Sequence, residues 1–169
     1  MIYRLLLFIC TGFLLFSCDE PKEISSINRV NWEKRTATLP SDSLALGSSY
    51  LSVYSEIYSL DEHETHDLTA TVSMRNINSK DTIYLTDASY YNTHGELIRS
   101  YFDHPIFIAP LETVEIVIDK IDREGGTGAN FLFTWATAPK SAEPYFEAVM
   151  ISTSNQQGIS FTTQGIKVE

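Results

Sequence analysis

Leu68, Ala70, Val72 and Met74 alternate with Thr69, Thr71, Ser73 and Arg75. An apolar period of two is what a strand with one buried face requires, because successive side chains leave a strand on opposite sides. The same signature returns at Val114, Ile116 and Ile118, and again at Phe131, Phe133 and Trp135. Residues 82–92 read as an aromatic, β-branched strand and residues 96–102 as its return, joined by Thr93-His94-Gly95, where Gly95 can take positive φ. Residues 146–152 are apolar on both faces, which predicts a central position in a sheet, and Asn155-Gln156-Gln157-Gly158 turns them into residues 159–163. Turn signals recur at roughly ten-residue intervals with no long helical period between them. The prediction is an all-β fold, an antiparallel β-sandwich of immunoglobulin or fibronectin-III type with about 7–9 strands.

The chain ahead of this region has a different character. Arg4 precedes an apolar run over residues 5–16 that ends in Leu15-Phe16-Ser17-Cys18. A basic start, a short apolar middle and a small residue at the cut make an export signal, and these residues resemble a bacterial lipobox, with Phe16 bulkier than the usual small residue. The resemblance implies cleavage before Cys18, which would carry a diacylglyceryl thioether and an acylated amino group. Such an anchor holds firmly because more than one acyl chain enters the bilayer. About twelve apolar residues fall short of the roughly 20 that span one. Three segments are therefore expected: a signal at 1–17, a lipidated Cys18 with a polar tether to residue 49, and a sandwich over 50–169. A flexible tether of that length has a root-mean-square span of roughly 30 Å. Ile27, Val30 and Trp32 are its apolar exceptions, suited to packing on the domain.

Cysteine usage and charge limit the chemistry further. Cys10 would leave with the signal and Cys18 would be consumed as thioether, so the mature chain would hold no thiol for a disulfide, for catalysis or for a zinc site. A mature chain of about 150 residues can rest on one hydrophobic core instead. Lys plus Arg number 12 against 22 Asp plus Glu, a net charge of −10, and loss of Arg4 would add one more negative unit. So acidic a surface repels nucleic-acid phosphates, and no nucleic-acid partner is expected.

Several stretches taken together carry a family resemblance: Tyr50-Leu51-Ser52-Val53-Tyr54-Ser55, LTATVSMRN at 68–76, Tyr90-Tyr91-Asn92, Gly125-Gly126-Thr127-Gly128-Ala129-Asn130-Phe131, and EAVMISTSNQQGISF at 147–161. Over residues 50–168 the chain resembles domain-of-unknown-function family 3124, a set of bacterial exported proteins. The resemblance implies an envelope setting and these domain boundaries. It brings no activity, substrate, cofactor or site residue.

Two polar loops are the candidate sites. The glycine-rich loop at 119–130 contains Asp122, Gly125, Gly126, Gly128 and Asn130. A phosphate-cradling turn needs a following helix, whereas Phe131 onward reads as strand. The acidic spacing also misses an EF-hand. The ordinary reading is structural, with glycines allowing close backbone approach and Asp122 and Asn130 capping backbone donors; the alternative is a ligand or partner loop. The second candidate is Asp61-Glu62-His63-Glu64-Thr65-His66-Asp67. It reads as a solvated acidic loop, or alternatively as a zinc or copper site built on His63 and His66; the histidines are not four apart as the zinc-protease motif requires. Ser154-Asn155-Gln156-Gln157-Gly158 suits a hairpin, and His94 and His104 read as surface residues. No nucleophile elbow or other catalytic pattern is present. The expectation is a non-catalytic, lipid-anchored envelope protein without a cofactor, binding or assembling with an envelope protein partner. A divalent-metal-binding protein is the alternative, and a hydrolase a more distant one.

Overall fold

The period-two stretches become the facing walls of two antiparallel sheets. The computed structural model describes residues 30–40, 43–153 and 158–168. The expected signal, Cys18, the tether up to residue 29 and most of the 154–158 turn lie outside the described residues. The strands are β1 (Ala45–Val53), β2 (Glu56–Tyr58), β3 (Thr65–Asp67), β4 (Thr69–Arg75), β5 (Ile83–Tyr91), β6 (Leu97–Ser100), β7 (Ile106–Ile108), β8 (Thr113–Ile118), β9 (Ala129–Thr137), β10 (Tyr145–Ser152), β11 (Ile159–Gln164) and β12 (Ile166–Lys167). One sheet runs β12-β1-β9-β5-β6, with β7 also paired to β5; the other runs β11-β10-β4-β8, and β2-β3 form a separate hairpin. The expected antiparallel sandwich is present. The 12 strands among the described residues exceed the expected number because β2, β3, β7 and β12 are only two or three residues long. Elements that short leave no readable period.

The core lies where the two inner faces meet. Leu68, Ala70, Val72 and Met74 are fully buried, as are Phe131 and Phe133, while Val114, Ile116 and Ile118 point inward from β8. Aromatic rings tie the sheets together. Tyr90 stacks on Phe131 with centroids 4.8 Å apart, Phe131 on Phe133 at 5.3 Å, and Phe133 on Phe146 of the opposite sheet at 4.2 Å. Such pairs contribute about 0.5–1.5 kcal/mol each beyond the area they bury. β10 is central, between β11 and β4. Only one of its faces is covered, however: Phe146, Ala148 and Met150 are buried and Ile151 is 43% exposed. The sheet has a partner on one side alone, so both-sided burial does not arise.

Residues ahead of Tyr50 also belong to the folded domain. β1 starts at Ala45, and the 3-10 turn Glu33–Arg35 is packed on the domain. Trp32 lies on Phe102 with centroids 5.1 Å apart, Thr36 bridges Ile106, and Ala37 N–H donates to Pro105 O at 2.8 Å. Arg35 reaches Glu112 Oε1 at 2.7 Å. A tryptophan and a carboxylate-paired arginine have more to gain from the domain than from solvent; Val30 and Trp32 pack on it as their apolar character suggested, and Arg35 and Thr36 of the expected tether are held there with them.

Phe133 sits in the middle of the ring stack with no exposed surface. Phe133→Ala is expected to cost about 3–5 kcal/mol, measured as a lower urea midpoint at unchanged slope; a loss under 1 kcal/mol would mean that the stack does not join the sheets.

Candidate functional site

The loop between β8 and β9 folds around a buried carboxylate. Asp122 has a fully buried side chain and accepts from Arg99 Nη2 of β6 at 2.7 Å; the same nitrogen donates to Glu124 Oε2 at 3.0 Å. Asp122 Oδ1 also accepts the Glu124 N–H at 3.3 Å. The Arg99 guanidinium lies 5.7 Å from the Tyr90 ring centroid, and Asp122 holds its pKa above the ordinary value against the opposing effect of burial. Behind it, the Tyr90 hydroxyl and Ser55 Oγ share a buried hydrogen bond of 2.9 Å. Burial pushes the Tyr90 phenol up to about 12 and raises that of neighbouring Tyr101 as well. Neither phenol ionises near neutrality.

The glycines allow this closeness. Gly125 is buried against Tyr90 and Ser55, and a Cβ there would collide with both side chains. Its carbonyl accepts from Thr93 N–H at 3.1 Å and from Thr93 Oγ1 at 3.0 Å. Gly126 has φ +71° and its carbonyl accepts the Ser55 N–H at 3.2 Å; Gly128 N–H donates to Thr93 Oγ1 at 2.9 Å. Positive φ is a conformation glycine takes without penalty. Four of the five singled-out residues are thus drawn into one pinned loop. Asn130 departs from them: it is in β9, opposite Ser52 and Tyr91, on the outer face of the sheet. What the loop offers to solvent is Lys120, Ile121, Arg123 and Glu124, and Arg123 is tied to Asp67 Oδ2 at 2.6 Å.

His63 and His66 occupy the β2-β3 hairpin in different ways. His63 is exposed in the turn, its N–H donating to Asp61 Oδ1 at 2.8 Å. His66 is half-buried, with Nε2 3.0 Å from Ser59 Oγ. Among the described residues no group of three or more His, Cys, Asp and Glu side chains is gathered to hold one ion. His94 is exposed in its turn, as expected. His104 is not free on the surface: Nδ1 is 2.9 Å from Asp103 Oδ1 and the ring borders the docked segment. Asp103 raises its pKa, with help from the Trp32 backbone and the Glu33 charge.

Sequence reasoning passed over Arg99, Thr93 and Ser55, which hold the loop. Arg99 carried a signal, a rare cation at strand position in an acidic chain, but a strand position gives no partner. An open cleft of about 520 Å³ lies between the docked segment and the domain, lined by Val30, Asn31, Lys34, Arg35, Phe107 and Glu112 among others.

Two tests follow. Arg99→Leu strands a buried carboxylate and is expected to cost about 3–5 kcal/mol, more than Asp122→Asn; equal small losses in denaturant titrations would remove the pair from the loop's support. Docking of the 30–37 segment should also depend on pH at two ends. The Glu112 pKa is lowered by Arg35, so its contribution is present above the unfolded value and lost as pH falls through the folded one. That of His104 is raised, so its contribution is present below the unfolded value and lost as pH rises through the folded one. Trp32 fluorescence in a Trp135→Phe background should therefore report loosening in acid and a second change as pH rises through the raised His104 pKa. Glu112→Gln should abolish the acid limb alone.

Comparison with known proteins adds family and little else. No curated protein matches the chain in sequence. A solved structure from Thermotoga maritima, described as Thermotoga maritima 1070, superposes with a TM-score of 0.45 at 8% identity, covering 71% of this chain and 92% of that one. Residues 47–168 match the family described as protein of unknown function (DUF3124), and the chain belongs to that family.

Proposed function

We propose that the protein is a lipid-anchored, non-catalytic module of the bacterial envelope that binds or assembles with other envelope components. The observation carrying this reading is the run at residues 5–16 behind Arg4 and ahead of Leu15-Phe16-Ser17-Cys18. It is supported by the absence of any further cysteine in the sequence beyond Cys10 and Cys18, consistent with a chain whose one retained cysteine is an attachment point. The polar side chains at the β8-β9 loop serve the fold: Asp122 neutralises Arg99, and the Ser55 hydroxyl is spent on Tyr90. A phenol held near 12 is a poor general base at neutral pH.

Docking of the chain from Val30 bears on the geometry of anchoring. Residues 19–29 would be the link between lipid and domain, and a link of that length reaches at most about 40 Å when fully extended. The domain would then work close to the bilayer surface.

The test is metabolic labelling with an alkyne-tagged palmitate, combined with mass analysis of the mature amino terminus. Label on the membrane-fraction protein, a mature chain beginning at Cys18, and loss of both in Cys18→Ala are expected. Label retained in Cys18→Ala, or a mature terminus elsewhere, would reject the anchor.

A further inference from the structure

The two ends of the sandwich differ in charge and in backbone. At one end lie the links 76–82, 109–112 and 138–144, with the docked segment beside them. At the other lie the β2-β3 hairpin, the 92–96 turn and the β8-β9 loop, tied together through Ser55, Thr93 and Arg123. That second end is strongly acidic. Asp61, Glu62, Glu64, Glu96 and Glu124 are exposed there against the cations Lys120 and Arg123, and Arg123 is taken by Asp67.

The first end is built on two turns of one design. Ala109-Pro110-Leu111-Glu112 is closed by Glu112 N–H donating to Ala109 O at 3.1 Å, and Ala138-Pro139-Lys140-Ser141 by Ser141 N–H donating to Ala138 O at 3.1 Å. The third residue of each has positive φ, 60° at Leu111 and 73° at Lys140, and no other non-glycine among the described residues does. Glycine or asparagine is the ordinary occupant of such a position. A strained backbone held by its surroundings points to a use for the side chain it carries. Leu111 is 69% exposed and its neighbour Ile77 is 54% exposed. Ile77 stands between two bonds that join their loops, Asn76 N–H to Glu112 O and Leu111 N–H to Asn78 O, both 3.0 Å. Asn78 is tied in turn to Ala142, donating from Nδ2 to its carbonyl at 2.9 Å and accepting its N–H on Oδ1 at 2.8 Å. The two apolar tips are thus held out on a braced base. Lys34, Lys80 and Lys140 are exposed at the same end. Its carboxylates are engaged: Glu112 by Arg35, Asp81 by Ser141 and Glu143 by Lys167, while Glu33 lies toward His104.

We propose that this end of the sandwich rests on the lipid surface, with Ile77 and Leu111 entering the headgroup region and Lys34, Lys80 and Lys140 facing the phosphates. Charge selects the end. Exposed apolar residues alone would not, because Leu60 at the opposite end is 86% exposed. Leu60 stands beside Asp61, Glu62 and Glu64, however, and an anionic bilayer repels such a cluster. The same bilayer attracts lysines and takes up leucine and isoleucine at its interface. The path of the chain selects the occupant. Val30 borders the cleft that Ala109 and Glu112 also line, so the chain enters the domain beside the Leu111 turn, and residues 19–29 lead from there to Cys18. The inference rests on the anchored reading for the nearness of the bilayer, and adds which end meets it and through which side chains.

The experiment places an environment-sensitive dye on the full-length protein, at Ser79→Cys on the proposed contact end or at Leu60→Cys on the acidic end. Each labelled protein is reconstituted into vesicles of phosphatidylcholine and phosphatidylglycerol in equal parts, and quenching by spin-labelled lipid is measured. The Ser79→Cys dye is expected to be quenched several-fold more than the Leu60→Cys dye. Adding Ile77→Ser with Leu111→Asn should bring the Ser79→Cys dye down to the Leu60→Cys level while the protein still floats with the vesicles. Asparagine tolerates the positive φ at 111, and circular dichroism checks that the variant is folded. Equal quenching at the two ends, stronger quenching at Leu60→Cys, or no change in the double variant would overturn the proposal. Flotation and dye count report on the anchor separately. Chains that fail to float, or that take more than one dye, reject the anchor, and the same comparison of the two dyes with vesicles in excess then decides the contact.

Discussion

The column of rings from Tyr90 through Phe131 and Phe133 to Phe146 is the contact on which the rest of the molecule depends. It crosses from the β5-β9 pair to β10 and so fixes how one sheet sits over the other. A sandwich has no covalent link between its layers here, and the chain has no disulfide to replace it among the described residues. Stacked, fully buried rings supply both area and orientation, and a shift of one residue in any of these strands would turn the rings outward. The β5-β9 register, with its irregularity between Leu85 and Asp87, is therefore part of the core's specification.

One end of that column meets the buried pair of Arg99 and Asp122. A charge taken out of water is tolerated only with a partner and further hydrogen bonds, and the loop supplies them by wrapping Asp119 to Gly128 over Tyr90 and Thr93. The glycines of this loop are consequences of packing against a tyrosine hydroxyl. They serve the same core as the aromatic column, which is why the region that most resembles a ligand loop in sequence is among the most internally engaged in the structure.

The docked segment around Trp32 links whatever precedes it to the domain. Its ties are electrostatic as well as apolar: Arg35 with Glu112, and His104 with Asp103 beside the Trp32 backbone. The segment sits at the β7 edge of the larger sheet, so the position of the amino-terminal side of the chain and the orientation of that sheet's outer face are coupled.

The sequence by itself determined the strands with a clear period: Leu68 to Met74, Val114 to Ile118 and Phe131 to Trp135 are buried as their alternation predicts, and Gly95 turns its hairpin with φ 79°. These are local properties, set by which side of a strand each residue occupies. The tertiary structure decided the rest. Asp122 was readable as an acidic loop residue, but its burial depends on Arg99, 23 positions away; Ser55 meets Tyr90 across 35 positions and Arg35 meets Glu112 across 77. Val30 and Trp32 stood out in sequence as apolar residues suited to packing on the domain, but that Trp32 meets Phe102 and Arg35 meets Glu112 was decided in space. Period and turn chemistry act between neighbours, whereas the worth of a charge or a ring is fixed by what the fold brings against it.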